Sequence, residues 1–600
     1  MLSYEANGRS ILESPWFELA EETSAFTRTF QIGKDTRSSR GDEAHSLTVL
    51  EIKGAHAEQK TMNGHQISVL ENDGKLFAAA IVGNAGAKLK IADNGQVVLE
   101  FSPVKKTRLS KLFLWTGASD ELPKFAALLE NSSSPENLQA LTKAGEARWQ
   151  EIISTKGEVS RSSSEPYVVD TITVPYENSY QALMFLSGVD FFPNGDAAVC
   201  SIHGDVWLVG GIDDQLQNIK WKRFATGLFQ PLGLKIVNGD VHILGRDQIT
   251  VLHDRNHDGE ADFYENFYNG IQTSEGGHDY VTCLETDRQG NFYYVDPAGV
   301  HRVSPNGRKH ETIATGWRNP NGMSVSPEGI ITVAPQEGHW TPTSAICEVK
   351  PSGYYGFGGP QITSERPLGY DTPLCWIPRI MDNSTGSQLW VTSEKWGPLT
   401  AQMLNLSYGR CTMMLVLREV VNGCAQGGVV QMKPRFLSGA MRGTFRKQDG
   451  QLYVVGSMGW STSATRDGSF QRVRYTGKDI NLPMQLKVRQ NGIQLTFSDA
   501  LEKETAEDPG SYGIEQWNYR YSKEYGSKEY SVHSPEEVGH DPMDVESAKL
   551  LADGRTVFLE IPNLQPVMQM QIQYNVNAAD GKTIRGEIFN TINQLGPRKN

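Results

Sequence analysis

Six hundred residues exceed what a single hydrophobic core sustains, so two to four domains are expected. A hydrophobic fraction of 38%, a charged fraction of 21%, 59 glycines and 9% aromatics describe a globular chain rich in strands and turns. The net charge of −13 comes without any basic stripe, which excludes nucleic acid as the expected partner, and no apolar run reaches the ~18 residues of a membrane-crossing helix.

The first residues, MLSYEANGRSILESPW, hold no basic segment followed by an apolar core, so no signal peptide is read there; residues 2–16 resemble the interior of a longer protein. Up to about residue 120, alternating segments such as FTRTFQI, KLFAAAIVG and KLFLWTG predict strands. The stretch from KFAALLE to NLQALTKAGEARWQEII has apolar residues at helical spacing and predicts a helical tail. Residues 1–153 thus form an N-terminal β-rich domain, and the Ser-rich, polar segment 154–165 reads as a linker.

From Tyr167 a unit recurs: a Gly beside Asn or Asp, then a β-branched or aromatic strand. It starts at 191, 235, 285, 324, 383 and 445, a period of about 40–65 residues, which matches one four-stranded blade. Residues 166–477 are therefore expected to form a six-bladed β-propeller, with YVVDTITV closing the ring against the last blade. After residue 477, strictly alternating segments such as MQLKVRQNGIQLTFSDAL predict a β-sandwich over 478–600, similar to immunoglobulin-like accessory domains. The fold class is all-β dominated. Six scattered cysteines lack haem- or zinc-type spacing; buried free thiols are expected, with one disulfide left open.

DRNHDGEADFYE (254–265) carries the spacing of a calcium loop. Asp254, Asn256, Asp258, Asp262 and Glu265 occupy its first, third, fifth, ninth and twelfth positions, Gly259 the sixth, and Glu260 offers a carbonyl at the seventh. A bound Ca2+ or a merely acidic turn are the two readings.

Three segments carry a family resemblance. HDYVTCLETDRQGNFYYVD, GWRNPNGMSVSPEG and TSEKWGPLTAQMLNL resemble the quinoprotein glucose/sorbosone dehydrogenases, and HDRNHDGEADFYENF with DGSFQRVRYTGK resembles the sorbosone-dehydrogenase-like propellers of planctomycetes. The resemblance covers about half of the chain. It implies oxidation of a sugar or polyol by pyrroloquinoline quinone (PQQ), a periplasmic or secreted setting, and a cytochrome or other electron acceptor.

By that resemblance His278 is the base that takes the hydroxyl proton, and Arg318 and Asn319 contact the quinone oxygens. Lys395 and Arg442 hold cofactor carboxylates, Gln230 neighbours cofactor and substrate, and Asp279, Trp340 and Trp396 are expected against the substrate. PQEGHW, with Glu337 and Gly338, aligns with the segment that lends carbonyls to an active-site calcium. The chain departs from the pattern at Ala440, Gly277, His339 and Trp340, which leaves the carboxylate and metal side of the pocket incomplete. Besides the dehydrogenase, two readings stay open: a cofactor-free carbohydrate-binding propeller, and non-redox carbohydrate chemistry such as a lyase.

Overall fold

A computed structural model describes the chain except residues 7, 8, 21, 36–44, 84, 85, 102–106, 163, 274, 275, 277, 278 and 600. Two compact units divide after Gly145.

The first unit, Met1–Gly145, holds a seven-stranded antiparallel sheet and a three-stranded sheet. Apolar residues at alternate positions of Lys75–Gly83 and Arg108–Gly117 bury one face beneath the helix Leu122–Glu130, where Trp115 stacks on Phe125 at 5.4 Å. The helical tail stops there. Only a 3₁₀ turn, Leu138–Thr142, follows, and Ile152–Thr155 is a strand. Tertiary partners override helical spacing: Glu260 accepts the backbone N–H groups of Arg148 and Trp149, and Ile152–Thr155 pairs with Ile219–Ala225 as a fifth blade strand. The segment read as a linker is likewise held, since Asp170 accepts the N–H of Ser160 and residues 158 and 171 pair.

The second unit contains six antiparallel sheets whose first strands are Leu186–Phe191, Gly233–Val237, Thr282–Thr286, Gly322–Val325, Thr385–Trp390 and Gly439–Phe445. Each first strand neighbours the next, and the sixth neighbours the first, so the ring is closed. This is a six-bladed β-propeller. In four blades the turn after the first strand explains the sequence repeat. Asn194 caps the N–H of Asp196, Asp287 those of Gln289 and Asn291, Ser326 those of Glu328 and Ile330, and Asp449 that of Gln451.

Closure of the ring uses Tyr167–Thr171, which pairs with Gly468–Tyr475 in the last blade. Asp170, fully buried, fastens it through Arg472 (2.8 Å) and Arg474 (2.6 Å). Burial alone would raise the Asp170 pKa; hydrogen bonds from Arg474, the Ser160 N–H and Arg472 outweigh it and hold the carboxyl below its ordinary value.

A two-sheet sandwich follows. Its seven longer strands, counted in chain order, run first–second–fifth–fourth in one sheet and seventh–sixth–third in the other. The second of these sheets continues blade five: Thr583–Ile592 pairs with the blade's outer strand, Cys424–Arg435. A Cβ at Gly427 would lie 1.8 Å from the Leu417 carbonyl and one at Gly428 2.6 Å from that of Phe589, so only glycine admits this junction. All six cysteines are free thiols, five of them buried. Among the described residues no helix is long and apolar enough to cross a membrane.

Candidate functional site

The six first strands run side by side around the axis, and each opens at the same face. At that face lies a cavity of about 370 Å³, and residues such as Leu232, Thr282, Asn321 and Met441 line it. At the opposite face, Lys235, Glu285, Ser324, Leu389 and Thr444 line a second cavity of about 340 Å³. Arg442, 6% exposed, spans the axis beneath the first cavity. Its guanidinium donates to the carbonyls of Asn321 (2.7 Å), Met441 (2.9 Å) and Leu232 (3.3 Å) and to Oδ1 of Asn321 (3.3 Å).

The wall of the first cavity is built on the Arg-Asn-Pro turn. Asn319 adopts φ +41° ahead of Pro320, whose carbonyl accepts from the Thr282 hydroxyl at 2.7 Å. Arg318 lies flat along the neighbouring loop and donates to the Glu337 carbonyl at 2.6 Å. A Cβ at Gly338 would fall 2.1 Å from its Nε, so the glycine makes room for the guanidinium. Above it sits the ring of Tyr525, 5.1 Å away, brought in by the C-terminal sandwich. Glu337 packs against Gly526, and its carboxylate lies 3.5 Å from Arg379. Burial pushes the Glu337 pKa up, against the opposing pull of Arg379 and Arg318. Trp460, 93% exposed, stands at the rim.

Behind this wall, Asp382 is completely buried in the loop that carries Arg379 and Asn383. Its carboxyl accepts the Ser384 N–H at 3.0 Å, and its Oδ2 has no hydrogen-bond partner. Burial raises its pKa to about 7.

The expected site residues separate. Arg318 and Asn319 line the cavity. His278 lies outside the described residues. Asp279, half-buried, follows the turn at Gly276, whose carbonyl accepts from Arg246 at 2.6 Å; Gln230 takes φ +46° and accepts from the same arginine at 3.1 Å. Neither is among the cavity-lining residues. Lys395 is exposed in a 3₁₀ turn, Glu394–Leu399, reached from the far end of its inner strand, so it is on the opposite side of the ring. Trp396 is fully buried between Tyr167 (4.8 Å) and Phe445 (5.1 Å) and packs the blade core; no substrate reaches it. Trp340 is half-buried beside Tyr521 (6.3 Å), and its N–H donates to the Ser522 carbonyl; it anchors the sandwich loop.

These positions bear on PQQ, a tricarboxylate. Among the described lining residues the cations are Arg318 and Arg379. Lys395 faces away and Arg442 is committed to backbone carbonyls, so the side chains assigned to the cofactor's carboxylates do not fit it.

In the segment expected to be a calcium loop, side chains of the donor set are committed to other partners. Asp254 accepts the N–H groups of Asp258 and Gly259, and Asp258 that of Glu260. The Glu260 carboxylate caps Arg148 and Trp149, Glu265 bonds His253 at 2.7 Å, and Asp262 accepts the Arg255 N–H. The Asp258 carbonyl takes a hydrogen bond from Lys222. Among the described residues no cluster of three or more His, Cys, Asp or Glu side chains converges as a metal site. The Glu337 carbonyl, expected near an active-site calcium, is taken by Arg318.

Three residues at the mouth escape sequence reasoning: Arg379, Tyr525 and Glu337 as a titrating side chain. Arg379 sits in a loop with no repeat signal, and Tyr525 arrives from another domain.

No family model matches the chain, and no curated protein matches it. Solved structures similar to it include a Thermus thermophilus protein described as an oxidoreductase (glucose dehydrogenase), at 15% identity and TM-score 0.40 over 51% of this chain and 99% of that one. The PQQ domain of a Coprinopsis cinerea pyranose dehydrogenase is similar at 9% identity and TM-score 0.38 over 55% and 98%. The calcium-binding regucalcin of Agrobacterium tumefaciens is similar at 11% identity and TM-score 0.34 over 52% and 96%. None reaches 25% identity or a TM-score of 0.5; the fold assignment rests on the six sheets themselves.

Proposed function

We propose that the funnel binds a sugar or sugar derivative directly, without a quinone. The observation that carries this reading is the convergence of Arg318, Glu337 and Arg379 beneath two exposed aromatic faces, Tyr525 and Trp460. Fixed donors and acceptors suit hydroxyl groups, and an aromatic face suits the apolar side of a pyranose ring. Glycan-array binding followed by titration calorimetry tests it; an array without signal overturns it.

Quinone-dependent sugar oxidation is the second reading, favoured by the placement of Arg318 and Asn319 on the wall. It alone calls for a cytochrome or other electron acceptor. Titration with PQQ and calcium, read as a change in the cofactor's absorption, separates the two. We read the C-terminal sandwich as immunoglobulin-like from its strand order. We assign a periplasmic or secreted setting, which cell fractionation checks; a fall in Tm on adding chelator would restore a structural Ca2+ at Asp254, Asn256, Asp258 and Asp262, whose side chains here accept N–H groups instead.

A further inference from the structure

Beside the funnel lies a third cavity, of about 580 Å³, between the propeller face and the sandwich loop 520–530. The two cavities share Glu337, Arg379 and Tyr525 in their walls, so they lie side by side with these three side chains between them. The loop that roofs the side cleft is firmly seated. The N–H of Trp340 donates to the Ser522 carbonyl (2.8 Å), that of Gly526 to the Gly338 carbonyl (3.1 Å) and that of Ser527 to the Pro342 carbonyl (2.8 Å). His339 Nδ1 lies 2.9 Å from the Lys523 carbonyl and its ring packs edge-on against Tyr525.

Charge along this path is mainly of one sign. Arg318 lies in the funnel, Arg379 at the junction, and Arg520 and Lys528 in the cleft; Glu337 and Glu524 oppose them, and burial shifts the first of these toward its neutral form. Among the described lining residues four cations face two carboxyls, and Glu536, outside the lining, pairs with Arg520, so the path keeps a small cationic excess on a chain whose net charge is −13. Aromatic faces punctuate it. Tyr525 stands between funnel and cleft, and Tyr530 lies in the cleft with the Arg520 guanidinium 3.9 Å above its ring. Arg520 is held in place by the Pro535 carbonyl (2.7 Å) and Glu536 (2.8 Å), whereas Lys528 is exposed.

Resting on the reading of the funnel as a sugar site, we propose that the ligand is an acidic oligosaccharide. One unit occupies the funnel, and the following units run out through the side cleft over Tyr525 toward Arg520 and Lys528. Carboxylates spaced along a uronate chain would meet successive cations, with arginine supplying paired donors. A monosaccharide would use only the funnel, and the sandwich would then contribute Tyr525 alone.

The test is titration calorimetry with galacturonate oligomers from one to six units and neutral glucose oligomers of the same lengths. The expected result is affinity for the acidic series that rises at least about tenfold from monomer to tetramer, with no such rise in the neutral series. The Arg520→Gln/Lys528→Gln variant should lose that rise and keep the monomer affinity. Lys528→Gln alone, which leaves the Arg520 bonds intact, should lose part of it and serves if the double variant misfolds. Binding of monomers with no gain on lengthening, an equal gain in the neutral series, or an unchanged gain in the variants overturns the oligosaccharide proposal while the funnel reading stands. Absence of binding by every acidic and neutral sugar overturns both.

Discussion

The two ends of the propeller axis are cavities of similar size, about 370 and 340 Å³, and both carry ionisable side chains. They differ in what those side chains do. At the far end Lys235 and Glu285, on adjacent inner strands, pair at 2.7 Å, and tight turns capped by Asp287 and Ser326 close the surface. At the mouth Arg379 is 72% exposed, Glu337 is held toward its neutral form, and long loops and a sandwich loop build the wall. Cavity volume therefore does not separate the two ends; the exposure of the charges and the looser 3.5 Å pairing of Arg379 with Glu337 do.

The comparison breaks most visibly at the far end. Glu285→Gln strands the Lys235 ammonium and is expected to cost about 3 kcal/mol of stability, measured by denaturant unfolding, while ligand affinity stays unchanged. At the mouth the pattern reverses. Arg318→Ala should weaken sugar binding about a hundredfold, near 2.7 kcal/mol, and lower stability by ~1 kcal/mol or less, because its internal partner is one carbonyl.

Behind the mouth, Asp382 adds a pH dependence. Its folded pKa, raised from 3.8 to about 7, means that the folded state binds the extra proton between those values. Stability therefore falls as pH rises through that window. Asp382→Asn should remove the slope, so that stability no longer falls between pH 4 and pH 8, read from Tm against pH. Smaller effects sharpen the contrast further. Trp460→Ala should reduce affinity about three- to tenfold with no change in Tm, and Lys395→Ala should change neither.

The propeller was legible because four of its blades carry the same local device. A short polar side chain caps the turn and a glycine takes the left-handed position, as at Asn194–Gly195 and Asp287–Gly290, and that chemistry recurs in the sequence at blade spacing. The Arg-Asn-Pro turn was read from the family resemblance of its segment and not from the repeat. Lys395 and Trp396 were not, because their motif says which strand they follow but not that the strand has crossed to the other face by then. Ile152–Thr155 shows the limit of periodicity: its spacing suits a helix, and the open edge of blade one makes it a strand. Tyr525 could be found only from three dimensions, since its partners lie about 200 residues away.

The junction at Gly427 and Gly428 has a practical meaning. The sequence marks residues 478–600 as a detachable accessory, yet their sheet is hydrogen-bonded into blade five. A chain shortened to its propeller would leave residues 427–430 of the strand Cys424–Arg435 without their edge partner, with Val429 and Val430 newly uncovered, a template for adhesion between copies. The part of the molecule that looks most dispensable is thus what covers the propeller's open strand edge.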